Sequence, residues 1–184
     1  LGFVFTGKGV AERMKTYVAK GREAEELKTG NAWLVVDAAD QVLGRLATRV
    51  GPSGVVYAQD IQPFMIEQLQ KNMKERKLAN VRTVLGSAED PKLPKNALDL
   101  LLMVDVYHEF DHPFEMMENI SKALKPGGRV VFVEYRGEDP NVPIKPEHKM
   151  SKAQILKELN PNGFKLVKEF DKLPWQHMMW FERE

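Results

Sequence analysis

The stretch LDLLLMVDVYHEFDHPFEMMENISKALKPGGRVVFVEY, residues 98–135, decides the fold. It begins and ends in nearly continuous apolar runs, at 97–106 and 129–135. Such runs are typical of strands that are covered on both faces in a parallel sheet. The apolar residues between the two runs have helical spacing and face one side: Phe114, Met117, Ile120 and Leu124. A Pro-Gly-Gly turn at 126–128 ends this segment, so the stretch predicts strand, helix, strand.

The preceding residues repeat the same alternation. GVVYAQD at 54–60 predicts a strand that ends in an acid, and NVRTVLG at 80–86 predicts the next strand. Between them, Pro63 suits the first turn of a helix. The apolar positions of that helix are Ile66, Leu69 and Met73. Alternating strands and helices predict a doubly wound α/β domain with right-handed crossovers.

The C-terminal segment predicts a different arrangement. A helix at about 151–159 precedes a turn at 160–163, and strands follow at about 164–170 and 176–182. The short connection between these strands predicts an antiparallel hairpin at one edge of the sheet. The expected fold is therefore a three-layer, doubly wound α/β domain whose mostly parallel sheet carries an antiparallel hairpin at its C-terminal end.

Composition bounds the classes of function. The chain has 184 residues, of which 43% are hydrophobic, enough for one domain with a core but short for two. Because 27 basic residues balance 26 acidic ones, charge gives no reason to expect a nucleic-acid or membrane partner. The chain has no cysteine, no apolar run of membrane-spanning length and no secretory-signal pattern. We expect a soluble, cytoplasmic, single-domain protein, residues 1–184.

Four motifs in residues 50–184 carry a resemblance to a known family. They are VYAQDIQPFMIEQL, VLGSAED, LDLLLMVDVYHEFDHP and ISKALKPGGRVVFVEY. Together they resemble the class I S-adenosylmethionine-dependent methyltransferases. The resemblance implies a sheet of six parallel strands and one antiparallel strand, with S-adenosylmethionine as cofactor and a small-molecule substrate.

The resemblance also implies a set of cofactor-binding residues. Asp60, followed by Ile61, matches the acid that accepts hydrogen bonds from both ribose hydroxyls, and a carboxylate suits a vicinal diol. The alternative is that Asp60 only caps the helix that begins at Pro63. Small or polar residues match the turn that borders the adenine, although they also fit a generic polar turn: Ser87, Ala88 and Glu89.

The fourth predicted strand places further candidates at the same edge of the sheet. Asp105 matches the residue near the methionine part of the cofactor and the substrate. His108 and Glu109 follow it, and either side chain has the chemistry of a general base, although a solvated or structural role is the alternative. Methyl transfer mainly requires alignment and exclusion of water, so no fixed catalytic group and no metal site are predicted.

The loop at 136–150 is a candidate for substrate contacts, with a solvated loop as the alternative. Three prolines stiffen it, and it carries basic residues: Lys145, His148 and Lys149.

The segment that should form the first strand, turn and helix departs from the family pattern. AWLVVD at 32–37 supplies a strand that ends in Asp37, a further cofactor-binding candidate. The family places a D-x-G-x-G-x-G turn next, because the backbone passes against the cofactor. Here residues 38–42 carry a side chain at every position, and the first glycine is Gly44. The helix that follows is expected to face inward through Leu43, Leu46, Ala47 and Val50.

Residues 14–50 also resemble the amino terminus of ribosomal protein thirteen of the large subunit, chiefly through the run LGRLAT. This resemblance predicts a chimera, natural or laboratory-made. In it, 1–13 is a non-native tail, 14–50 supplies the first strand and helix, and 51–184 derives from a methyltransferase. Residues 1–50 hold 8 basic and 6 acidic residues, too even a balance to predict binding to ribosomal RNA.

Three functional hypotheses follow from this departure. The first expectation is a folded chimera with lost or much weakened S-adenosylmethionine binding and no efficient catalysis. The alternative is an active S-adenosylmethionine-dependent methyltransferase with an unknown small-molecule or protein substrate. A third possibility is assembly into a homodimer that covers exposed apolar faces.

Overall fold

A computed structural model describes residues 42–183. The predicted tail at 1–13, the predicted strand at 32–37 with Asp37 and the residues 38–41 of the glycine-free turn lie outside the described residues. The helices are α1 (Val42–Val50), α2 (Pro63–Glu75), α3 (Pro113–Ala123) and α4 (Lys152–Leu159). The strands are β1 (Val56–Asp60), β2 (Val81–Leu85), β3 (Leu98–Val104), β4 (Leu124–Arg136), β5 (Lys149–Met150), β6 (Phe164–Phe170) and β7 (Gln176–Arg183). Single 3-10 turns lie at Tyr107–Glu109, Pro146–His148 and Asn160–Asn162.

The strand pairing confirms the predicted mixed sheet. β1 pairs with β2 in parallel, and β3 pairs with β4 in parallel. β7 is antiparallel to both β4 and β6, so the order in this sheet is β3-β4-β7-β6, with the short β5 beside the end of β4. The C-terminal hairpin was therefore correctly predicted, and its second strand lies inside the sheet while β6 forms the edge.

The larger core lies between β3, β4 and β7 on one side and α3 and α4 on the other. Helix α3 buries Met116, Met117, Ile120 and Ala123. The prediction for Phe114 is wrong, because its side chain is 55% exposed. At 100° per residue, Phe114 lies about 120° around the helix from Ile120, outside the buried stripe. Leu124 is buried as predicted, but it begins β4 and is not part of the helix.

A second core cluster joins α1 and α2 to β1 and β2. Leu46 and Ala47 are buried, and Leu43 and Val50 are partly buried against the same cluster, so the predicted inward face of α1 is confirmed. Among the described residues, no helix is long or apolar enough to cross a membrane.

A cavity of about 80 Å³ separates β1 from β3. These two strands belong to different sheets among the described residues, so neither satisfies the other's backbone groups. The cavity is lined mainly by apolar residues of the two strands and α1: Leu46, Val50, Val56, Tyr57, Leu98, Leu100, Leu101 and Leu102. The edges of β1 and β3 thus face each other across this space.

Candidate cofactor and acceptor site

Asp60 ends β1 and has one carboxylate oxygen to spare. The residue is 4% exposed. Its Oδ1 accepts a hydrogen bond of 2.8 Å from the backbone N–H of Gln62, at the start of α2. Its Oδ2 is buried and has no hydrogen-bond partner among the described residues. Capping of α2 therefore accounts for only one oxygen of Asp60. The other oxygen could accept a hydrogen bond from a hydroxyl group of a ligand.

The turn after β2 lies beside Asp60, because the backbone N–H of Gly86 donates to the Asp60 carbonyl at 2.9 Å. A Cβ on Gly86 would lie 2.4 Å from Nε2 of Gln59 and 2.9 Å from the carbonyl oxygen of Asp90, so this approach requires glycine. Ser87 closes the turn through its N–H to the Asp90 carbonyl, at 2.8 Å.

Besides Asp60, four residues near this turn were predicted to bind the cofactor. All four are exposed at the same end of the sheet: Ile61, Ser87, Ala88 and Glu89. Their placement fits the rim of a ligand site. The assignment of residues 87–89 to the border of the adenine stays a prediction, as does cofactor binding by Ile61.

Asp105 lies just beyond β3 in a strained backbone conformation. Its φ is +49°, in the left-handed region, which is uncommon outside glycine and is best tolerated by Asn and Asp. Gln176 of β7 donates from Nε2 to Oδ2 of Asp105 at 2.8 Å, while the buried Oδ1 has no partner among the described residues. Burial and the charge of Glu134 raise the pKa of Asp105 to about 7, against the opposing effects of Gln176 and His108. Strain together with an unfavourable buried carboxyl group is typical of functional sites.

Glu134 organises the 3-10 turn that follows Asp105. This fully buried residue of β4 accepts backbone N–H groups of Val106 and Tyr107 at Oε1, at 3.1 and 2.7 Å. Its Oε2 lies 2.7 Å from Nδ1 of His108. The sequence analysis missed Glu134, although an acid inside an otherwise apolar strand was a visible signal.

His108, Glu109 and His148 form one group, here called the imidazole cluster. Nε2 of His108 and Nδ1 of His148 each lie 3.2 Å from Oε1 of Glu109. The two rings are 5.5 Å apart, edge to face. The structure thus brings the two predicted base candidates to the loop predicted to contact substrate, through His148, one of the basic residues named for that loop.

The imidazole cluster is half open to solvent. The His108 side chain is 6% exposed, whereas that of His148 is 41% exposed. Burial opposes protonation of His108, but the hydrogen bond and charge of Glu134, with Glu109 and Asp105 nearby, raise its pKa above the usual range. The cluster can therefore accept a proton or a cation beside the carboxyl end of β3.

Comparison with known proteins gives a consistent result. The model of a family described as a methyltransferase domain matches residues 27–181. A demethylmenaquinone methyltransferase of Geobacillus sp. (strain WCH70) is 31% identical over 118 residues, 64% of this chain and 47% of that protein. A ubiquinone/menaquinone biosynthesis C-methyltransferase of Pseudomonas putida (strain GB-1) is 26% identical over 115 residues, 61% of this chain and 45% of that protein. The chain spans about half the length of these curated relatives.

A solved structure with the same fold is an S-adenosylmethionine-dependent methyltransferase from Aquifex aeolicus. Its TM-score is 0.72 at 22% identity, covering 77% of this chain and 76% of that one. The family match begins at residue 27 and so includes much of the segment assigned to a ribosomal protein. The comparisons give no support to that assignment or to a chimera.

Proposed function

The chain belongs to the methyltransferase-domain family, and from this premise we propose that it binds S-adenosylmethionine beside Asp60 and methylates a small-molecule acceptor. When bound, S-adenosylmethionine supplies a methyl group already activated on a sulfonium. The tasks left to the protein are to hold the donor, to align the acceptor and to keep water out.

The observation that carries this proposal is the buried Oδ2 of Asp60, which has no hydrogen-bond partner within residues 42–183. A buried carboxylate oxygen without a partner costs free energy, and a hydroxyl donor from a ligand would remove that cost. Oδ1 already holds the N–H of Gln62, so the carboxylate is fixed in orientation before a ligand arrives. A ribose diol matches this arrangement, because it offers hydroxyl donors to a carboxylate acceptor.

The acceptor would lie near Asp105 and the imidazole cluster. Both follow β3, and in open α/β sheets ligands bind outside the carboxyl ends of the strands. Glu134 positions this end of the site: it holds the 107–109 turn by two backbone hydrogen bonds and orients the ring of His108. His108 is the group best placed to accept a proton from an acceptor, since its Nδ1 is taken by Glu134 and its Nε2 points toward Glu109.

The names of the curated relatives favour one class of acceptor. They describe methylation of demethylmenaquinone and C-methylation in ubiquinone and menaquinone biosynthesis. We therefore infer that the acceptor is the ring carbon of a quinone-type aromatic compound in its reduced state. Such a carbon becomes nucleophilic when a neighbouring hydroxyl loses its proton, which is the step that His108 would assist.

A second candidate function rests on residues 38–42, where no glycine stands in the expected D-x-G-x-G-x-G turn. In this hypothesis the protein folds as a methyltransferase but binds S-adenosylmethionine weakly and has no efficient catalysis. Side chains in place of glycines would occupy cofactor volume and remove backbone donors, at on the order of 1 kcal/mol for each lost hydrogen bond.

Calorimetric titration with S-adenosylmethionine decides between the two. The proposal expects one site with micromolar affinity, and Asp60→Asn should weaken binding by about 10- to 100-fold because a charge-assisted hydrogen bond is lost. Asp99→Asn is the matched control, since Asp99 is the second residue of β3, at the end of the strand opposite Asp105, and pairs with Lys125 at 2.8 Å.

Two results would refute the proposal. If the folded chain shows no heat of binding with millimolar S-adenosylmethionine, the second candidate function, a fold without efficient catalysis, is supported. Equal affinity in Asp60→Asn and the wild type contradicts the placement of the cofactor.

A further inference from the structure

The imidazole cluster has the donor set and spacing of a metal site. His108, Glu109 and His148 each offer one ligand atom, and these atoms lie within 4.8 Å of one another. Two of the separations are 3.2 Å, both to Oε1 of Glu109. Ligands about 2.0–2.1 Å from a tetrahedral ion are about 3.3–3.4 Å apart, so both separations fit coordination with little movement.

Glu134 provides the carboxylate to which a metal-binding histidine usually donates its second ring N–H. A ligating imidazole usually donates its second ring N–H to a carboxylate or carbonyl, which fixes the tautomer and the ring orientation. His108 makes this contact through Nδ1, 2.7 Å from Oε2 of Glu134. In the neutral ring, Nδ1 then carries the proton and Nε2 keeps a lone pair directed toward Glu109. This buried carboxylate distinguishes the cluster from a chance meeting of surface side chains.

The chemistry of the ligands selects the class of ion. Two imidazoles and one carboxylate suit borderline divalent ions such as Zn²⁺, Co²⁺ or Fe²⁺, more than Ca²⁺ or Mg²⁺, which prefer oxygen. The negative groups nearby offset the charge of a divalent cation: Asp105, Glu109 and Glu134. Three protein ligands leave at least one coordination position for water or for an oxygen of another molecule.

We propose that His108, Glu109 and His148 bind one divalent transition-metal or zinc ion, with Glu134 orienting His108. The ion and a proton compete for Nε2 of His108, because a metal-bound imidazole nitrogen has no free lone pair. If the proposed function holds, an ion held by these residues would supply a Lewis acid beside the acceptor, and it would replace His108 in assisting loss of the acceptor hydroxyl's proton.

Cobalt titration of the full, tag-free chain tests the site without any dependence on catalysis. Co²⁺ should bind with one-to-one stoichiometry, give visible d–d absorption and be displaced by Zn²⁺. His148→Gln should weaken Co²⁺ binding at least tenfold. This side chain is 41% exposed, so the substitution should leave the fold intact.

His112→Gln is the matched control. His112 is 46% exposed, lies 4.0 Å from Glu89 and belongs to no cluster among the described residues. The His112→Gln variant should bind Co²⁺ with the same affinity as the wild type. The four histidines of the chain all lie within the described residues, and the remaining one, His177, is fully buried and lies 3.9 Å from Glu138.

Glu134→Gln gives a second readout, since loss of an outer-shell carboxylate should weaken metal binding about 10- to 100-fold and alter the Co²⁺ spectrum. Absence of stoichiometric Co²⁺ binding by the wild type would overturn the proposal, as would equal binding by His148→Gln and the wild type. Titrations with S-adenosylmethionine in the presence of EDTA separate this outcome from failure of the proposed function.

Discussion

Asp105 shows how a single residue can carry both strain and function. Its positive φ, its buried unpartnered oxygen and the nearby charge of Glu134 all make the folded state less stable. The sequence predicted that Asp105 lies near the cofactor and the substrate. It did not predict the backbone strain, because the φ of this residue depends on how the chain leaves β3. Persistence of such a residue is explained if it contacts the cofactor or the acceptor.

The raised pKa of Asp105 predicts that this residue lowers the free energy of unfolding by an amount that depends on pH. In the folded chain the carboxyl group titrates at about 7, compared with 3.8 for a free aspartate. Its contribution to stability therefore falls as pH rises from about 4 to about 7. The facing groups that modulate this titration are Glu134, His108 and Gln176. Asp105→Asn, neutral at every pH and tolerant of positive φ, should raise the free energy of unfolding more at pH 8 than at pH 5, by on the order of 2 kcal/mol.

Chemical denaturation at the two pH values measures this difference. Asp99→Asn, with its 61% exposed side chain, should show no comparable pH dependence. A lower stability of Asp105→Asn than of the wild type at pH 8 would contradict the electrostatic account. The same variant should also lose methyl-transfer activity if Asp105 contacts cofactor or acceptor.

The close packing around Gly86 predicts that a side chain at this position destabilises the turn beside Asp60. A Cβ there would meet Gln59 at 2.4 Å and the Asp90 carbonyl at 2.9 Å, so Gly86→Ala should destabilise the chain by about 1–3 kcal/mol. Gly44 is the control, because it lies in α1 and its nearest neighbour would be an Arg76 guanidinium nitrogen at 3.8 Å. Gly44→Ala should stabilise by about 0.5–1 kcal/mol. Thermal unfolding measures both, and equal effects would contradict the packing argument.

At the scale of elements, the central question is what lies between β1 and β3. The sequence predicts a strand at 32–37, outside the described residues, and this apolar run has the length of one strand. This run is expected to lie in the central sheet, a prediction that the described residues do not test. The same placement would bring Asp37 to the carboxyl end of the sheet, near Asp60.

Paired substitutions test this strand. Val36→Asp would place a charge in the apolar layer and should destabilise the chain by about 3 kcal/mol or more. Val4→Asp, in the segment predicted to be a non-native tail, should change stability by less than about 0.5 kcal/mol. Denaturant titration of the two variants would contradict the prediction if Val36→Asp unfolded at the same midpoint as the wild type.

The sequence predicted elements better than contacts. Among the described residues, strand and helix positions followed from apolar periodicity, which is a local property, but Phe114 was assigned to the wrong side of its helix and Leu124 to the helix instead of β4. The imidazole cluster depends on pairings that span 26 residues, from His108 to Glu134, and 39 residues, from Glu109 to His148. Local patterns contain no information about such pairings, so Glu134 and the role of His148 became visible only in the fold.

At the scale of the whole molecule, residues 42–183 form a methyltransferase fold in which Asp60 ends β1 and Asp105 follows β3. The family match from residue 27 favours an uninterrupted methyltransferase domain over a chimera. The expected homodimer stays a prediction. The large apolar side chains that the structure exposes, such as Phe64 at 60% and Phe114 at 55%, are the surface that such an assembly would cover.

The most direct measurement is a crystal structure of the chain with S-adenosylhomocysteine. The account predicts a ribose hydroxyl within about 3 Å of Oδ2 of Asp60, with the adenine near residues 87–89. A nucleoside bound elsewhere, or Oδ2 of Asp60 paired with a protein side chain in that complex, would contradict it.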